Sequence, residues 1–479
     1  MLRKTISVGA CIGLAASVLI AGGTSPIQAA TPSPNSRADI AAGWLANQNP
    51  GTAGGPLTSS IIALTTSGVG KTKSQQWLSI LESNIGAFVA DGPGQAGALA
   101  KSIYTVQAQG SNASAFGGND MPADLNALMV SSGANQGRFQ VNSTDYSSGL
   151  TQAWAVLGLA RTPSGAPADA VTYLIGLQCP NGGFAAAYNS DENWTPGQYH
   201  GTCQSNDEVD NDTTSMALQA LLAPGVASAS GASAAVTKAA DYLAGVQNSD
   251  GSVSDPWFGP NSNTTGLAGQ ALRAAGKTTQ ANKATNWLNS MQLTCANVTS
   301  AAAFKQVGAV AYNTEALAKG KKSGISGGDF TQWTMSAQQA IGGMVGAKPL
   351  GTASATSQVA GLPAVKCDPL KVKVTKIKKY KNAKARVYFT SPSATVSVGK
   401  ATSFKYRVRY SGKKWGKSWK TLKSSSKSVT LTKAHAKKKK GSNAKHRTVT
   451  RWVQIRAANA AGHSQVVQVK VRQKVRVHR

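Results

Sequence analysis

One short pattern returns four times between residues 38 and 345: an aromatic residue, a leucine, and a glutamine a few positions on. It reads WLANQ at Trp44, YLIGLQ at Tyr173, YLAGVQ at Tyr242 and WLNSMQ at Trp287. A chain that copies itself at this scale is built from one supersecondary unit that cannot bury its own apolar face, so successive copies must stack. Two copies run into a glycine-bearing turn, NGGF at 181–184 and DGSV at 250–253, and then through a variable loop into a second segment rich in Ala and Leu. The second segments align. DNDTTSMALQAL from Asp210 matches NSNTTGLAGQAL from Asn261, with YSSGLTQAWAVLGLA from Tyr146 and YNTEALA from Tyr312 as looser copies. Apolar residues recur at helical spacing within them, which predicts about a dozen helices in helix, turn, helix units.

This repetition resembles the α/α-toroid repeats of terpenoid cyclases and protein prenyltransferases over most of residues 38–345. The resemblance implies an all-α (α/α)6 toroid across 30–345, with paired helices around a central cavity.

The stretch QSNDEVDNDTT packs Asp207, Glu208, Asp210 and Asp212 into six positions. Asp212 aligns with Asn263 and Asn313 just ahead of a helix, the place for an N-cap whose short side-chain oxygen accepts from free backbone N–H groups. The other three acids have no counterpart in the other repeats. They are either a general acid, with one carboxyl shifted by its neighbours, or a solvated loop beside a helix N-terminus. Squalene-type cyclases carry Asp-x-Asp-Asp-Thr, whose middle Asp protonates the alkene. With Thr213 on the motif's Thr, that middle position falls on Asn211, which is no acid. Sliding the frame to Asp210 and Asp212 leaves a bare Asp-x-Asp.

The prenyltransferase resemblance implies zinc on Asp, Cys and His, but this region holds one histidine, His200, and too few good ligands for that metal. Metal ligands are therefore expected to be none, apart from Ca²⁺ held by hard oxygens of the Asp191–Asp212 loop. Trp194 and Tyr199 in that loop, and Trp257 and Phe258 in the next, are expected on one rim, suited to an apolar or sugar-like ligand. Cys179, Cys203, Cys295 and Cys367 number four, as disulfides require in an exported chain. Of three possible pairings, Cys179 with Cys203 and Cys295 with Cys367 are favoured.

Export is expected from Met1 to about Ala29: Arg3 and Lys4, an apolar run, then a small-residue cleavage site. No later apolar run is long enough to span a membrane. Charge divides the remainder of the chain. Residues 31–365 hold 15 Lys and Arg against 18 Asp and Glu, whereas 366–479 hold 33 against one. That asymmetry places a boundary in the small, Pro-bearing stretch 346–366, read as a tether. Beyond it the period changes to two, as in FKYRVRY from Phe404, which predicts antiparallel sheet with Lys and Arg on the wet side.

The segments ARVYFTSP, YRVRYSGKKWGKSWKTL, SVTLT and VQIRAANAAGHS resemble a fibronectin type III domain, which implies an all-β sandwich over 367–479. Phe389 stands where that family has Trp, and Arg451 where its tyrosine corner belongs. Such a net charge seeks polyanions, and Lys437, Lys438, Lys439, Lys440, Lys445 and Arg447 are expected in an exposed loop that binds them. Anionic cell-envelope polymers or lipid headgroups are the expected partners, with nucleic acid not expected for an exported protein. The fold class is therefore multidomain, all-α toroid then all-β sandwich. The expected function is a cell-envelope-associated toroid that binds a ligand without catalysis. The alternative is a secreted enzyme on isoprenoid or glycan substrates, with Asp207, Glu208 or Asp210 as catalytic acid.

Overall fold

The computed structural model describes residues 36–92, 94–140, 147–186, 203, 205–294, 297–298, 301–344 and 349–363. In the C-terminal part it describes 373–380, 384–390, 403–410, 414–415, 418–423, 428–431, 436–437, 445–459, 462–463 and 466–478. Met1 to Ala29, Trp194, Tyr199, Cys295, Cys367 and Lys438 to Lys440 lie outside the described residues.

Among the described residues, twelve of the fourteen α-helices form six pairs, outer helix first: Arg37–Leu45 with Gly55–Ser67, Lys71–Phe88 with Gln95–Ala108, Met121–Ala127 with Gly149–Leu159, Ala168–Gly176 with Asn211–Leu221, Ala232–Val246 with Ser262–Ala274, and Thr278–Ser290 with Asp329–Gly343. Each inner helix packs on the next, and Asp329–Gly343 packs back on Gly55–Ser67, so the inner ring closes. This is the toroid that the repeats imply. The copy at Tyr312 departs from that plan: it opens Thr314–Ser323, and the sixth inner place goes to Asp329–Gly343, which carries no repeat pattern.

The glutamine of the repeat explains why the copies stack. Gln178 Nε2 donates to its own turn at Gly182 O (3.0 Å) and to Ala235 O (2.8 Å) in the next outer helix. Gln247 does the same with Gly251 O (3.1 Å) and Gln280 O (3.0 Å). Gln292 joins Gly308 O (3.1 Å) to Arg37 O (2.9 Å), tying the last of these turns to the first helix. One amide thus satisfies two carbonyls, and leaving such groups unpaired in a buried setting costs about 1–3 kcal/mol each. Gln48 instead bonds back to Trp44 O in its own helix. At Gly251 and Gly308 the backbone is left-handed, φ 95° and 106°, and a Cβ would lie 2.3 Å from Lys283 O and 2.6 Å from Ile40 O, so only glycine brings the turn this close.

The segment expected as a tether is instead fastened to the toroid. Within 349–363, Leu350 N donates to Gln219 Oε1 (3.1 Å), Val359 N to Gly68 O (2.9 Å) and Gly70 N to Gly361 O (3.0 Å). Arg161 donates to three carbonyls, Leu350 O (3.2 Å), Gly351 O (2.9 Å) and Ala353 O (2.8 Å). Its small, polar composition reads as flexible because the groups that hold it are more than 130 residues away in sequence.

The C-terminal strands build two sheets. One has Lys373–Lys379, Ala385–Thr390 and Ser428–Leu431 in that order. The other runs Ala436–Lys437, Val467–His478, His446–Asn459, Ser403–Tyr410 and Lys420–Lys423, with Gly462–His463 beside His446–Asn459. Their inner faces share one core, including Val387, Phe389 and Leu431 from the first and Phe404, Val453 and Val471 from the second. Phe389 meets Phe404 edge-on at 4.8 Å, filling its position without a Trp. Arg451 points inward and is 1% exposed, hydrogen-bonded to Gln473 and Tyr410, while Gln473 Nε2 reaches Lys384 O at 2.9 Å. A buried guanidinium with such partners stands where the resemblance leads one to look for a tyrosine. Among the described residues no helix is long and apolar enough to cross a membrane.

Gln292→Ala is expected to lower the unfolding free energy by about 2–3 kcal/mol, because two carbonyls lose their donor. The exposed Gln76→Ala should change it by less than about 0.5 kcal/mol, with urea melts of both variants as the check.

Candidate functional site

Which face of an inner helix looks inward decides what the cavity contains. The Asn211–Leu221 helix is capped by Asp210, whose Oδ1 accepts from Thr213 N at 2.6 Å. Its repeat copy is capped by Asn261, which accepts from Asn263 N and Thr264 N, both at 2.9 Å. The cap expected at Asp212 therefore sits two residues earlier. Both repeats carry a short polar side chain at two positions, Asp-Asn-Asp and Asn-Ser-Asn, and the first of each pair is the one within reach of the free N–H groups. At Asn313 the expected cap is observed, with Ala316 N donating at 2.9 Å.

Released from capping, Asp212 occupies the first turn of an inner helix and lines the central cavity. Its Oδ1 is enclosed and receives no hydrogen bond from the described residues, while the Thr264 hydroxyl bonds the carboxyl. Burial first, and the charge of Asp210 second, push this carboxyl up to about 7; the Thr264 bond pulls it down, and Asp255 adds a smaller upward push. Tyr312 is raised as well, by burial and then by Asp255 and Asp212.

The cavity measures about 120 Å³ and is lined by Ser59, Ile62, Ala63, Thr66, Lys101, Leu150, Trp154, Asp212, Met216, Leu267, Gln270, Gln338, Gln339, Gly342 and Leu350. Lys101 Nζ donates to Ser59 Oγ at 2.6 Å and lies 5.5 Å from the centre of the Trp154 ring, and burial pushes its ammonium down to about 8. Tyr104 stands edge-on to Trp154 at 5.4 Å and donates to Leu350 O at 2.9 Å. Leu350, from the docked segment, closes part of the wall. Gln339 Oε1 is a second enclosed oxygen without a donor among the described residues. An acid held near neutrality, an amine, amides and a single indole thus converge on one small space.

The residues expected from the sequence fare differently. Asp207 is exposed, with its N–H bonded to Ser205 Oγ at 3.2 Å, and Asp210 is engaged as a cap, so neither lines the cavity. Glu208 closes the short 3-10 turn Asn206–Glu208. Trp257 and Phe258 are 74% and 70% exposed at a turn that Asp255 Oδ1 holds through their N–H groups at 2.8 and 2.9 Å. Among the described residues no group of three or more His, Cys, Asp or Glu is arranged to hold a metal. Most of the Asp191–Asp212 loop lies outside them. Cys179 and Cys203 form a disulfide, as favoured. Lys437 falls in the short strand Ala436–Lys437, whereas Lys445 and Arg447 are exposed at the start of His446–Asn459. Lys101, Trp154 and Gln339 escaped sequence reasoning because each sits on an ordinary helical stretch. Asp212 reads in the sequence as a cap, because its alignment with Asn263 and Asn313 places it just ahead of a helix.

The family model of the squalene-hopene cyclase C-terminal domain matches residues 147–340. This stretch is terpenoid-cyclase-like. Solved structures similar to the chain include ent-copalyl diphosphate synthase from Streptomyces platensis, 15% identical, with 64% of this chain and 50% of that one covered and a TM-score of 0.35. Candida albicans protein geranylgeranyltransferase-I complexed with GGPP is 11% identical, covering 63% of this chain and 89% of that one at a TM-score of 0.40. The chain thus spans half the length of the Streptomyces enzyme. No curated protein matches it. In the shifted frame of the cyclase motif, Asp210 takes the first Asp and Asp212 the middle one, with Thr213 in place of the third Asp and Thr214 on the Thr.

The raised carboxyl has a thermodynamic signature. Between its ordinary value of 3.8 and about 7, the folded chain holds a proton that the unfolded chain has lost, so this group's contribution to stability falls as pH rises through that window. Asp212→Asn carries no such proton. Its melting temperature should exceed that of the parent at about pH 8 and converge with it towards about pH 4; a difference that does not vary with pH would show the carboxyl to be unshifted.

Proposed function

We propose that the toroid binds a compact ligand bearing hydroxyl or amino donors, in the manner of a single sugar ring, and that the basic sandwich attaches the exported protein to an anionic polymer of the cell envelope. The observation that supports the first part is that Asp212 and Gln339, which both line the cavity, each carry an enclosed oxygen, Oδ1 and Oε1, without a donor among the described residues. Buried polar atoms of this kind are completed by a ligand or by water. Size and lining support a compact occupant. About 120 Å³ is of the order of an engineered cavity of ~150 Å³ that takes a benzene ring. Among the described residues Trp154 is the one aromatic lining the wall, a poor match to a long polyene passing through carbocations. The second part rests on charge, since residues 369–479 contain no Asp or Glu at all. No cofactor is included in the proposal, and calcium at the Asp191–Asp212 loop is tested by repeating the ligand titration with a chelator.

A second reading is favoured by one feature of Asp212: a carboxyl pushed up to about 7 on a residue that lines the cavity is poised as a general acid. On this reading the protein is a cyclase-like enzyme acting on a glycan or a short isoprenoid.

Thermal-shift titration with hexoses, cyclitols and short prenyl alcohols separates the two. A cyclic polyol should raise the melting temperature of the parent chain, and Asp212→Asn should weaken that ligand by about tenfold, the equivalent of one lost charge-assisted hydrogen bond. If Asp212→Asn keeps the ligand but abolishes a product seen by mass spectrometry, the enzyme reading holds. No response to any compound at millimolar concentration would remove the cavity as a ligand site.

A further inference from the structure

On the larger sheet of the basic sandwich, the face opposite the core carries a single alternating stack of cations and indoles. Lys470 Nζ lies 5.0 Å from the centre of the Trp452 ring, and Arg409 lies 5.8 Å from the same ring and 5.1 Å from that of Trp415. Arg407 follows, 5.1 Å from Trp415 and 4.6 Å from Trp419, and Arg456 ends the row 4.2 Å from Trp419. The strand register builds this row, because Trp452 stands directly across from Arg409 on one side and Lys470 on the other. Phe404, Val453, Ile455 and Val471, at the alternate positions, are buried in the core.

Two properties of the row bear on its partner. Each indole has two cations near its ring, so the aromatic residues are engaged in cation–π contacts. The Nε atoms of Arg409 and Arg456 are enclosed and have no hydrogen-bond partner among the described residues, and residues 369–479 contain no Asp or Glu to pair with them. Arg407 and Arg456 are near enough for the charge of one to depress the other, after burial, which an incoming anion would relieve.

We propose that this ladder is the seat of a linear polyol-phosphate polymer, successive phosphates being received by Arg407, Arg409 and Arg456. The inference rests on the reading of the sandwich as an anionic-polymer binder and says where and by what chemistry it binds. Three of the four ladder cations are arginines, whose planar fork matches two phosphate oxygens, while stacking on indole fixes its orientation beforehand. The remaining lysines supply long-range attraction that salt screens. The ladder supplies selectivity that persists in salt.

The test uses the full chain with three probes of matched charge: a glycerol-phosphate polymer, oligo-dT and polygalacturonate. At about 0.3 M salt, where screening has weakened the purely electrostatic term, the parent is expected to prefer the glycerol-phosphate polymer. Arg407→Lys with Arg409→Lys keeps every charge and should lose about tenfold on that polymer and less than about twofold on polygalacturonate, as expected when the bidentate fork is removed. Trp419→Phe, a milder change in shape, should fall between. Near-ultraviolet circular dichroism confirms that the sandwich remains folded. Equal losses on all three probes, or none, would overturn the ladder as the phosphate seat, and tighter binding of oligo-dT would make it a base-binding face. Failure of the parent to bind any probe even at low salt would instead remove the anionic-polymer reading on which the proposal stands.

Discussion

A side-chain amide shared between two backbone carbonyls holds the helical part together. Gln178, Gln247 and Gln292 each connect a turn in their own repeat to the following outer helix, and for Gln292 that following helix is the first one in the ring. The consequence is topological. A row of helical hairpins that bonded only to neighbours would be an open solenoid with two exposed ends, whereas the bond to Arg37 joins the ends and encloses a cavity. Glycine at the turns is the complement of this bond, since a Cβ at Gly251 or Gly308 would keep the turn away from the helix it must touch.

Once the ring is closed, its chemistry is set by which residues face the axis. Asp212 lies two residues after a cap on an inner helix, and that position points into the ring, where water is scarce and a second acid is near. On the outer helix Ala168–Gly176 the acid at the same helical position, Asp169, is exposed. The docked segment 349–363 belongs to this enclosure as well: Leu350 contributes to the wall, and Arg161 and Tyr104 secure its backbone. What composition presents as a tether is part of the container.

The sandwich is organised differently. Its core is made of alternate residues on strands whose other face carries Lys and Arg among Thr, Gln and Trp, so burial and charge are separated by the two-residue period. The absence of acids leaves the cations to be organised by indoles. Arg451 is the exception: a guanidinium turned inward and held by Gln473 and Tyr410. Neither that role nor the Trp ladder follows from the alternation itself, which assigns a residue to a face but not to a partner.

The sequence by itself determined the features governed by local period and composition. These are the helix, turn, helix units and a count of about a dozen helices, the Asp and Asn caps as a class, the switch to alternating strands and the division of charge near residue 366. It also brought the acidic stretch 207–212 forward, while placing the cap on Asp212 and the chemistry on Asp207, Glu208 and Asp210. Helix propensity and cap preference are indifferent to a shift of two residues when both positions hold a competent side chain. Only the tertiary structure decided that shift, the sixth inner helix, the docking of 349–363 and the meeting of Lys101, Trp154, Asp212 and Gln339. Each depends on contacts between residues far apart in the chain, and such contacts leave no local pattern to read.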